Sequence, residues 1–233
     1  MIYFGNDFLI RFESQQLSES IGTESNGSLK YGKRMPSKGK NFETFSYLMS
    51  FIGRTCIHSS VRSTLLDAYK ILEKTQPNVS FVYGEMGWCS GGRFRPHRTH
   101  QNGLSVDFMM PVKDTYNFPR QFPSDLMNLF GYKARFNSEG EYKKCFIRGK
   151  TSVTRCAVYK IDFEAIVAHL KALEESGIKY GVTLKKIIID PPLLALLKKT
   201  KGYSEIASLP FMKKQAWYNV PRKLDRKIGW NEI

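Results

Sequence analysis

Residues 84–108, GEMGWCSGGRFRPHRTHQNGLSVDF, join a glycine-rich turn to arginines, histidines and a short apolar run. The last part alternates apolar and polar residues, which predicts a short strand over 104–108 with its apolar side chains on one face and Asp107 on the other. Because Gly103 permits a sharp turn before that strand, we expect His100 to fold back above the face that carries Asp107. An imidazole and a carboxylate that converge in this way are typical of two of the three protein ligands of a catalytic zinc ion.

The same pair of residues also has plainer interpretations. A histidine and an aspartate at this spacing occur together by chance, and an aspartate after a strand is commonly a helix cap or a partner of a cation. From the residues alone, metal binding, capping and ion pairing all remain open for His100 and Asp107.

The spacing of apolar residues elsewhere predicts alternating helices and strands. Helices are expected over 42–49, from the Ser59–Ser60 cap to Lys74, over 163–176 and over 193–199, and strands over 79–83 and 185–189. Asp162 and Gly177 are the expected ends of the third helix, and Pro192 opens the fourth. This order predicts an α+β fold, with a small, mainly antiparallel sheet flanked by helices.

The length of 233 residues suffices for one substantial core, and we expect a single domain over 1–233. Residues 1–41, which become rich in Ser, Gly, Asn and Lys from position 14, are expected to form an irregular lead-in. Residues 111–155 hold aromatic, proline and basic residues without a clear period. They are expected to form an insertion with at most short strands.

Charge is the strongest property of the composition: 36 Lys and Arg residues against 21 Asp and Glu residues give a net charge of +15. Such a field attracts polyanions, which include nucleic acid, an anionic cell wall and a membrane surface. The sequence contains no pattern of a zinc finger, a helix-turn-helix or an RNP-type strand, and its basic residues are dispersed. Nucleic-acid binding is therefore the least favoured of these functions.

No stretch approaches the roughly 18 apolar residues that a membrane span requires. The N-terminal sequence MIYFGNDFLIRFESQQ lacks the basic start, apolar run and cleavage site of a secretory signal, so the delivery route is undecided. Cys145 and Cys156 flank a basic stretch with the character of a hairpin, and they are the expected pair if a disulfide exists. The redox compartment is also left undecided by the cysteines.

Four stretches carry a resemblance to a known family. HRTHQNGLSVDF resembles the H-x-x-H-Q-x-G-L-x-V-D segment of the penicillin-insensitive murein endopeptidases, which are related to lysostaphin-type and D-Ala-D-Ala metallopeptidases. GEMGWCSGGRF is similar to that family's G-D-M-G-x-x-x-G-G-R-F stretch, and SNGSLKYGKRMPSKGKNF to its S-N-G-x-L…L-P…G segment. LKKIIIDPPLLALL resembles a strand-then-helix of the type V-x-R-I-F-V-N-P-A-I-x-x-x-L. The resemblance touches most of residues 20–200.

The resemblance implies a zinc-dependent enzyme that hydrolyses peptide cross-links of peptidoglycan in the periplasm or cell wall. His100 and Asp107 match two zinc ligands, and His97 matches a histidine that lies beside the metal or faces the substrate. Gln101 is expected to shape the loop, and Glu85 stands where the family usually has Asp. Zinc would polarise the scissile carbonyl and deliver hydroxide.

The chain departs from the family at its C-terminal end, where a His-x-His supplies the third ligand and a neighbouring base or stabiliser. No histidine follows His169, and the expected position holds Lys223, Leu224 and Asp225. Three explanations are open. Asp225 is the third ligand and Lys223 takes the electrophilic role; or another residue completes the site, among Glu85, Asp190 and Cys89; or the metal site is lost, and the protein binds cell-wall peptides or a protein partner without cutting.

Residues around the motif are candidates for substrate binding. Arg93, Arg95 and Arg98 offer guanidinium groups to the carboxylates of cell-wall peptides, although each is equally well explained as part of a solvated loop. The other candidates are Gln101 and the aromatic residues Trp88 and Trp217. His58 is expected to be a cap or surface residue, and His169 a partly buried histidine with its hydrogen bonds satisfied.

Overall fold

The structure is a computed structural model, and it describes residues 2–126, 129–148 and 153–213. Its helices are α1 (Ile2–Ile10), α2 (Tyr47–Phe51), α3 (Ser59–Thr75), α4 (Phe163–Tyr180), α5 (Pro191–Lys198), α6 (Ser204–Ala207) and α7 (Pro210–Lys213). Its strands are β1 (Glu19–Gly22), β2 (Gly27–Lys30), β3 (Lys33–Arg34), β4 (Phe42–Thr44), β5 (Cys56–Ile57), β6 (Phe81–Tyr83), β7 (Val112–Lys113), β8 (Pro119–Arg120), β9 (Glu141–Arg148) and β10 (Val153–Ile161).

The strands form small sheets that are mainly antiparallel, which confirms the predicted α+β class. The largest sheet has the order β8-β7-β10-β9, and every pair in it is antiparallel. β1 pairs with β2, and β3 with β5, also in antiparallel fashion. The exception is the pair of β4 and β6, which is parallel. The motif that begins at Gly84 directly follows the carboxyl end of β6.

The main core is built around the two long helices, α3 and α4, which pack against each other. α3 buries one apolar stripe, with Val61, Leu65, Ala68 and Leu72. α4 starts where predicted, because the side chain of Asp162 accepts a hydrogen bond from the backbone N–H of Ala165 at 3.1 Å. This core also contains Val106 and Phe108, so the apolar residues of the motif are anchored in it.

A second, smaller apolar cluster lies on the other side of β6. Its buried members are Phe45, Val82, Met109, Val112, Phe122 and Ala134, with Phe130 and Tyr132 packed against them. Val82 of β6 faces this cluster, whereas Phe81 and Tyr83 face the main core. The alternation of a strand therefore places the end of β6 between two apolar clusters.

Several predicted elements are wrong in type or extent. Residues 42–44 form β4 because they pair with β6 as Phe42↔Phe81, Glu43↔Val82 and Thr44↔Tyr83. The helix begins only after Ser46, whose side chain accepts a hydrogen bond from the N–H of Met49. Gly177 lies within α4, which ends at Gly181 in the left-handed conformation with a φ of 67°.

Two segments that were expected to be largely irregular contain regular structure. Residues 1–41 include α1 and the hairpin of β1 and β2. Residues 111–155 include β7, β8, β9 and the start of β10, and β9 and β10 pair from Glu141↔Lys160 to Arg148↔Val153. Alternating polar and apolar residues in these stretches were obscured by their many basic side chains, which are tolerated on the exposed face of a hairpin.

Two segments that were predicted to be strands have little regular pairing. Residues 104–108 are joined to β6 by a single bridge, Tyr83↔Phe108, and by hydrogen bonds to residues 84 and 85. Residues 185–189 contain one bridge position, at Ile188. Their apolar side chains are still used by the core, as Ile187 is buried in it.

All four cysteines form disulfides, Cys56 with Cys89 and Cys145 with Cys156. The second pair confirms the predicted pairing, and it joins facing residues of β9 and β10. The first pair, which was not predicted, ties β5 to the glycine-rich turn of the motif. No helix among the described residues has the length and hydropathy needed to cross a bilayer.

Candidate metal centre

His97, His100 and Asp107 converge at one point, and each offers a ligand atom that lies within 4.8 Å of the others. The Nε2 atom of His100 is 3.2 Å from Oδ1 of Asp107, and Nε2 of His97 is 3.7 Å from Oδ2 of the same carboxylate. The side chains of His100 and Asp107 are fully buried, and that of His97 is 12% exposed. This group, buried but open to solvent at one edge, can hold a metal ion.

Backbone pairing between the end of β6 and residues 104–108 positions Asp107. The N–H of Asp107 donates to the carbonyl oxygen of Glu85 at 2.9 Å, and the N–H of Gly84 donates to the carbonyl oxygen of Asp107 at 2.6 Å. Gly84 is required at this crossing, because a Cβ atom there would lie 2.8 Å from Cβ of Asp107. The carboxylate therefore projects from a backbone that is fixed on both sides.

The turn around His100 has an unusual conformation. His100 has a positive φ of 69°, which costs energy for a residue other than glycine and is found preferentially at functional sites. A Cβ atom on residue 87 would lie 2.5 Å from the carbonyl oxygen of His100, so a glycine is needed at position 87. Nδ1 of His100 lies 3.1 Å from the carbonyl oxygen of Met86. If Nδ1 carries the proton of that hydrogen bond, Nε2 presents its lone pair toward Asp107.

Glu85 connects His97 to Arg54. Oε2 of Glu85 is 2.7 Å from Nε2 of His97, and Oε1 accepts a hydrogen bond from Nε of Arg54. Burial alone would raise the pKa of the Glu85 carboxyl, but the hydrogen bonds and charges of His97 and Arg54 outweigh it and lower that pKa. Glu85 is therefore ionised at neutral pH and orients the ring of His97.

Arg54 is itself held on the other side by aromatic rings. Its guanidinium carbon lies 4.1 Å from the ring centroid of Phe94 and 5.0 Å from that of Trp88. Its Nη2 atom also donates to the carbonyl oxygen of Arg95 at 2.8 Å. The Arg54 side chain thus joins the glycine-rich turn, the arginine-rich loop and Glu85.

The fit to a zinc ion can be tested on the donor atoms that are present. Zinc bonds to imidazole nitrogen and carboxylate oxygen of about 2.0–2.2 Å in a tetrahedral arrangement place neighbouring ligand atoms about 3.3 Å apart. The separation of 3.2 Å between Nε2 of His100 and Oδ1 of Asp107 agrees with that value, and Nε2 of His97 lies 3.7 Å from the other oxygen of the carboxylate, Oδ2. The same distances are those of His–Asp ion pairs, which form when the imidazoles are protonated, so the group can bind either a metal ion or protons.

The predicted substrate-binding residues differ in their exposure to solvent. Arg93, Arg95 and Arg98 are exposed. Gln101 is half-buried and donates from Nε2 to the carbonyl oxygen of Arg98 at 3.2 Å, which agrees with a loop-shaping role. Trp88 is half-buried and packs edge-to-face on Phe94 with ring centroids 5.4 Å apart.

The alternatives for the third ligand are narrowed by the structure. Cys89 forms a disulfide and has no thiolate to offer a metal. Asp190 lies before α5, outside the cluster of three, and Glu85 is bound to Arg54 and His97. Lys223 and Asp225 lie outside the described residues, as does Trp217. Among the described residues, His97 is the side chain that completes the group.

Two residues that contact the site, Arg54 and Tyr132, were not predicted from the sequence. The hydroxyl group of Tyr132 donates to Oδ2 of Asp107 at 2.9 Å and accepts from the N–H of Glu85, also at 2.9 Å. Neither residue lies near the motif in the sequence, and Tyr132 lies in a segment without any clear period. Only the folding of that segment against the second apolar cluster brings it to Asp107.

Neither of the two remaining histidines belongs to the group of candidate ligands. His58 caps α3, where Nδ1 accepts a hydrogen bond from the N–H of Ser60 at 3.2 Å, which confirms the prediction of a cap residue. His169 is buried in the main core, but the expectation of satisfied hydrogen bonds is wrong. Its Nε2 atom has no hydrogen-bond partner in the part of the chain that the structure describes.

In comparisons with known proteins, no family model matches this chain, and no curated protein is significantly similar to it. The resemblance to the murein endopeptidases thus stays a prediction that depends on the quoted motifs. What the structure adds is independent of any family: a fixed, buried group of two imidazoles and one carboxylate at the end of β6.

Proposed function

We propose that this protein is a zinc-dependent peptidase that hydrolyses peptide cross-links of peptidoglycan. The observation that carries the proposal is the convergence of His97, His100 and Asp107, whose ligand atoms lie within 4.8 Å of one another. Two nitrogen donors and one oxygen donor suit zinc, and three protein ligands are the number that catalytic zinc sites keep. When bound, zinc would polarise the scissile carbonyl and lower the pKa of the attacking water.

The proposal assigns the third ligand to His97 instead of Asp225. His97 is the third member of the group of metal-binding side chains among the described residues, and its Nε2 atom lies 3.7 Å from Oδ2 of Asp107. To bind the metal through Nε2, His97 must exchange its contact with Glu85 for the metal. Glu85 would then be the ionised carboxylate beside the site that accepts a proton at Oε2.

The substrate class is proposed from the charge around the site. Arg93, Arg95 and Arg98 are exposed on the loop that carries His97 and His100. Guanidinium groups bind carboxylates in paired hydrogen bonds, and the peptides of peptidoglycan are rich in carboxylates. The net charge of +15 favours attraction to the anionic cell wall as a whole.

The place of action is proposed from the cysteines. All four are paired in disulfides, and disulfides persist in oxidising compartments such as the bacterial periplasm and the cell surface. This supports action in the periplasm or cell wall, where the proposed substrate is found.

One observation favours a second candidate function, in which the protein binds cell-wall peptides without cutting them. The contact of His97 with Glu85 at 2.7 Å, and the hydrogen bond that Asp107 accepts from Tyr132 at 2.9 Å, stabilise the cluster without a metal. A descendant of a zinc enzyme that lost its metal would keep such a cluster for its structure.

Metal analysis of the purified protein tests the proposal. We expect about one zinc ion per chain, which His100→Ala and Asp107→Ala abolish. His97→Gln should lose the metal as well, whereas Asp225→Asn should keep it if His97 is the third ligand. His58→Gln is the matched control, because the side chain of this histidine caps α3 and is not part of the group.

Digestion of purified muropeptides, followed by mass spectrometry, then separates the two functions. Cleavage of cross-links by the wild type that is absent in His100→Ala supports the peptidase. Binding without cleavage by a zinc-free wild-type protein overturns it and supports the binding protein. A salt-dependent shift of duplex DNA with no effect on muropeptides would overturn both.

A further inference from the structure

Tyr132 contacts two of the three candidate ligands, Asp107 and His97, and the backbone of Glu85, whose carboxylate contacts His97. Its hydroxyl group is 2.9 Å from Oδ2 of Asp107, and its ring lies edge-to-face on that of His97 with centroids 6.0 Å apart. The same hydroxyl group accepts the backbone N–H of Glu85 at 2.9 Å. One side chain from a distant segment therefore contacts the group at several points.

The direction of these hydrogen bonds is fixed by chemistry. A backbone N–H can only donate, so the Tyr132 oxygen accepts from Glu85 and its own hydrogen is given to Asp107. Oδ2 of Asp107 is thereby engaged, while Oδ1 faces Nε2 of His100 at 3.2 Å.

The backbone around Tyr132 is shaped to bring it there. Leu129, Phe130 and Gly131 all have positive φ values, of 47°, 56° and 101°, which are unfavourable for the first two. The ring of Tyr132 packs edge-to-face on Phe45 at 5.6 Å, which anchors it in the second apolar cluster. At the other end, a Cβ atom on Gly84 would lie 2.7 Å from the hydroxyl oxygen, so the glycine permits the approach.

We propose that Tyr132 is a positioning residue of the metal centre, which orients Asp107 so that this carboxylate binds the ion through Oδ1 alone. The segment that precedes β9, expected to be an insertion, thus completes the site by holding one ligand from behind. This inference rests on the proposed metal site, and it deepens it by assigning the carboxylate oxygen and the group that selects it.

The test compares Tyr132→Phe with a control that loses an equivalent hydroxyl group outside the site. Tyr83→Phe is that control, because Tyr83 is fully buried and its hydroxyl group donates to the carbonyl oxygen of Pro36 at 2.8 Å. Zinc affinity is measured by competition with a chromophoric chelator. We expect Tyr132→Phe to bind zinc about 10–100-fold more weakly, the usual effect of removing a partner of a metal ligand, and Tyr83→Phe to match the wild type.

A second readout separates positioning from stability. The visible absorption bands of the Co²⁺-substituted protein report ligand geometry, and they should change in Tyr132→Phe but not in Tyr83→Phe. Equal zinc affinity and unchanged bands in Tyr132→Phe, or an equal loss in both variants, overturn the inference while the metal site stands. A wild-type protein that binds neither ion overturns the metal site itself, and with it this role of Tyr132.

Discussion

The buried histidines of this chain lie in two regions with opposite surroundings. His97 and His100 sit at the end of β6 among carboxylates, a phenol and backbone carbonyls that meet their ring nitrogens. His169 sits in α4 among the rings of Tyr69, Phe81 and Phe108, with centroids 4.8–5.7 Å away. Burial is similar in both regions, but only the first brings together groups that can share a cation.

The comparison shows that burial alone does not identify a functional histidine. Burial lowers the pKa of His169 to about 3, so this ring is neutral at physiological pH and acts as an apolar core residue. At the metal centre, by contrast, each imidazole is directed toward a carboxylate oxygen. Convergence of partners, and not depth, separates the candidate site from the core.

The two regions also differ in how they are held together. The main core is stabilised by apolar burial along α3 and α4, worth about 1.5–3 kcal/mol for each fully buried Leu or Ile. The motif has few apolar side chains and several glycines, and it is instead fixed by hydrogen bonds and by the Cys56–Cys89 disulfide. Substitutions in the motif should therefore disturb the site while the core stays packed. Substitutions in the core should lower the free energy of unfolding without changing the candidate ligands.

The largest expected effect is the loss of the Cys56–Cys89 disulfide. Replacing both cysteines with alanine removes a crosslink over a separation of 33 residues, which the loop-entropy relation values at about 3–4 kcal/mol. The matched control, Cys145→Ala with Cys156→Ala, removes a crosslink between residues only 11 positions apart in an already paired hairpin. It should lower the free energy of unfolding by less. Urea unfolding measures both free energies. An equal loss in the two variants would contradict the view that the motif depends on its own crosslink.

The next effect concerns Glu85, which joins the site to Arg54. Glu85→Gln keeps the shape of the side chain but removes the charge that competes with the metal for Nε2 of His97, so zinc should bind at least as tightly as in the wild type. Cleavage of muropeptides, which needs the proton acceptor at Oε2, should fall about 100–10,000-fold. Glu43→Gln is the control, because Glu43 is also a buried carboxyl and its hydrogen-bond partner is Tyr47, away from the site. Chelator competition measures both affinities. Muropeptide digestion measures the activity. A loss of zinc affinity in Glu85→Gln, or cleavage at the wild-type rate, would contradict these roles of His97 and Glu85.

Much of the core could be predicted from the sequence, because its elements carry periodic patterns and local caps. α3 and α4 follow from apolar spacing, and the start of α4 from Asp162, whose side chain binds the N–H of Ala165. The error at 42–44 has a clear cause. A helical spacing of aromatics was present, but pairing with β6 outweighed it, since tertiary context overrides a weak local preference.

For the site, the sequence indicated His100 and Asp107 through the quoted motif, and the structure places them within contact. The neighbours could not be predicted, because Arg54 and Tyr132 reach the site only through long-range packing. Tyr132 lies 25 positions after Asp107, in a segment whose aromatic residues gave no period. Nothing local in the sequence marks a phenol that will meet a carboxylate across the fold.

A smaller effect is expected from His169, on the other side of the comparison. Its pKa is about 3 in the folded protein and about 6.5 when unfolded, so below pH 6.5 the unfolded chain takes up a proton that the folded chain refuses. The contribution of His169 to the free energy of unfolding is complete above pH 6.5 and falls by about 1.4 kcal/mol per pH unit toward pH 3. At pH 5 the loss is about 2 kcal/mol. His169→Phe should remove this slope.

Urea unfolding of the wild type and of His169→Phe at pH 7 and pH 5 measures the difference between the two slopes. Taking this difference cancels the titration of the other histidines, which both proteins share. Equal slopes would mean that the imidazole of His169 is protonated in the folded core, against the apolar surroundings provided by Tyr69, Phe81 and Phe108.

The smallest effect on stability is expected at the rim of the metal centre. Arg98 is exposed, and Arg98→Ala should change the free energy of unfolding by no more than about 0.5 kcal/mol. If its guanidinium group binds substrate carboxylates, the same variant should bind anionic muropeptides more weakly, with the difference decreasing as salt is added. Lys113→Ala, a half-buried basic residue of β7, is the control for net charge. Equal weakening in both variants would mean that the overall charge attracts the peptide and that the loop beside His97 and His100 contributes no specific contact.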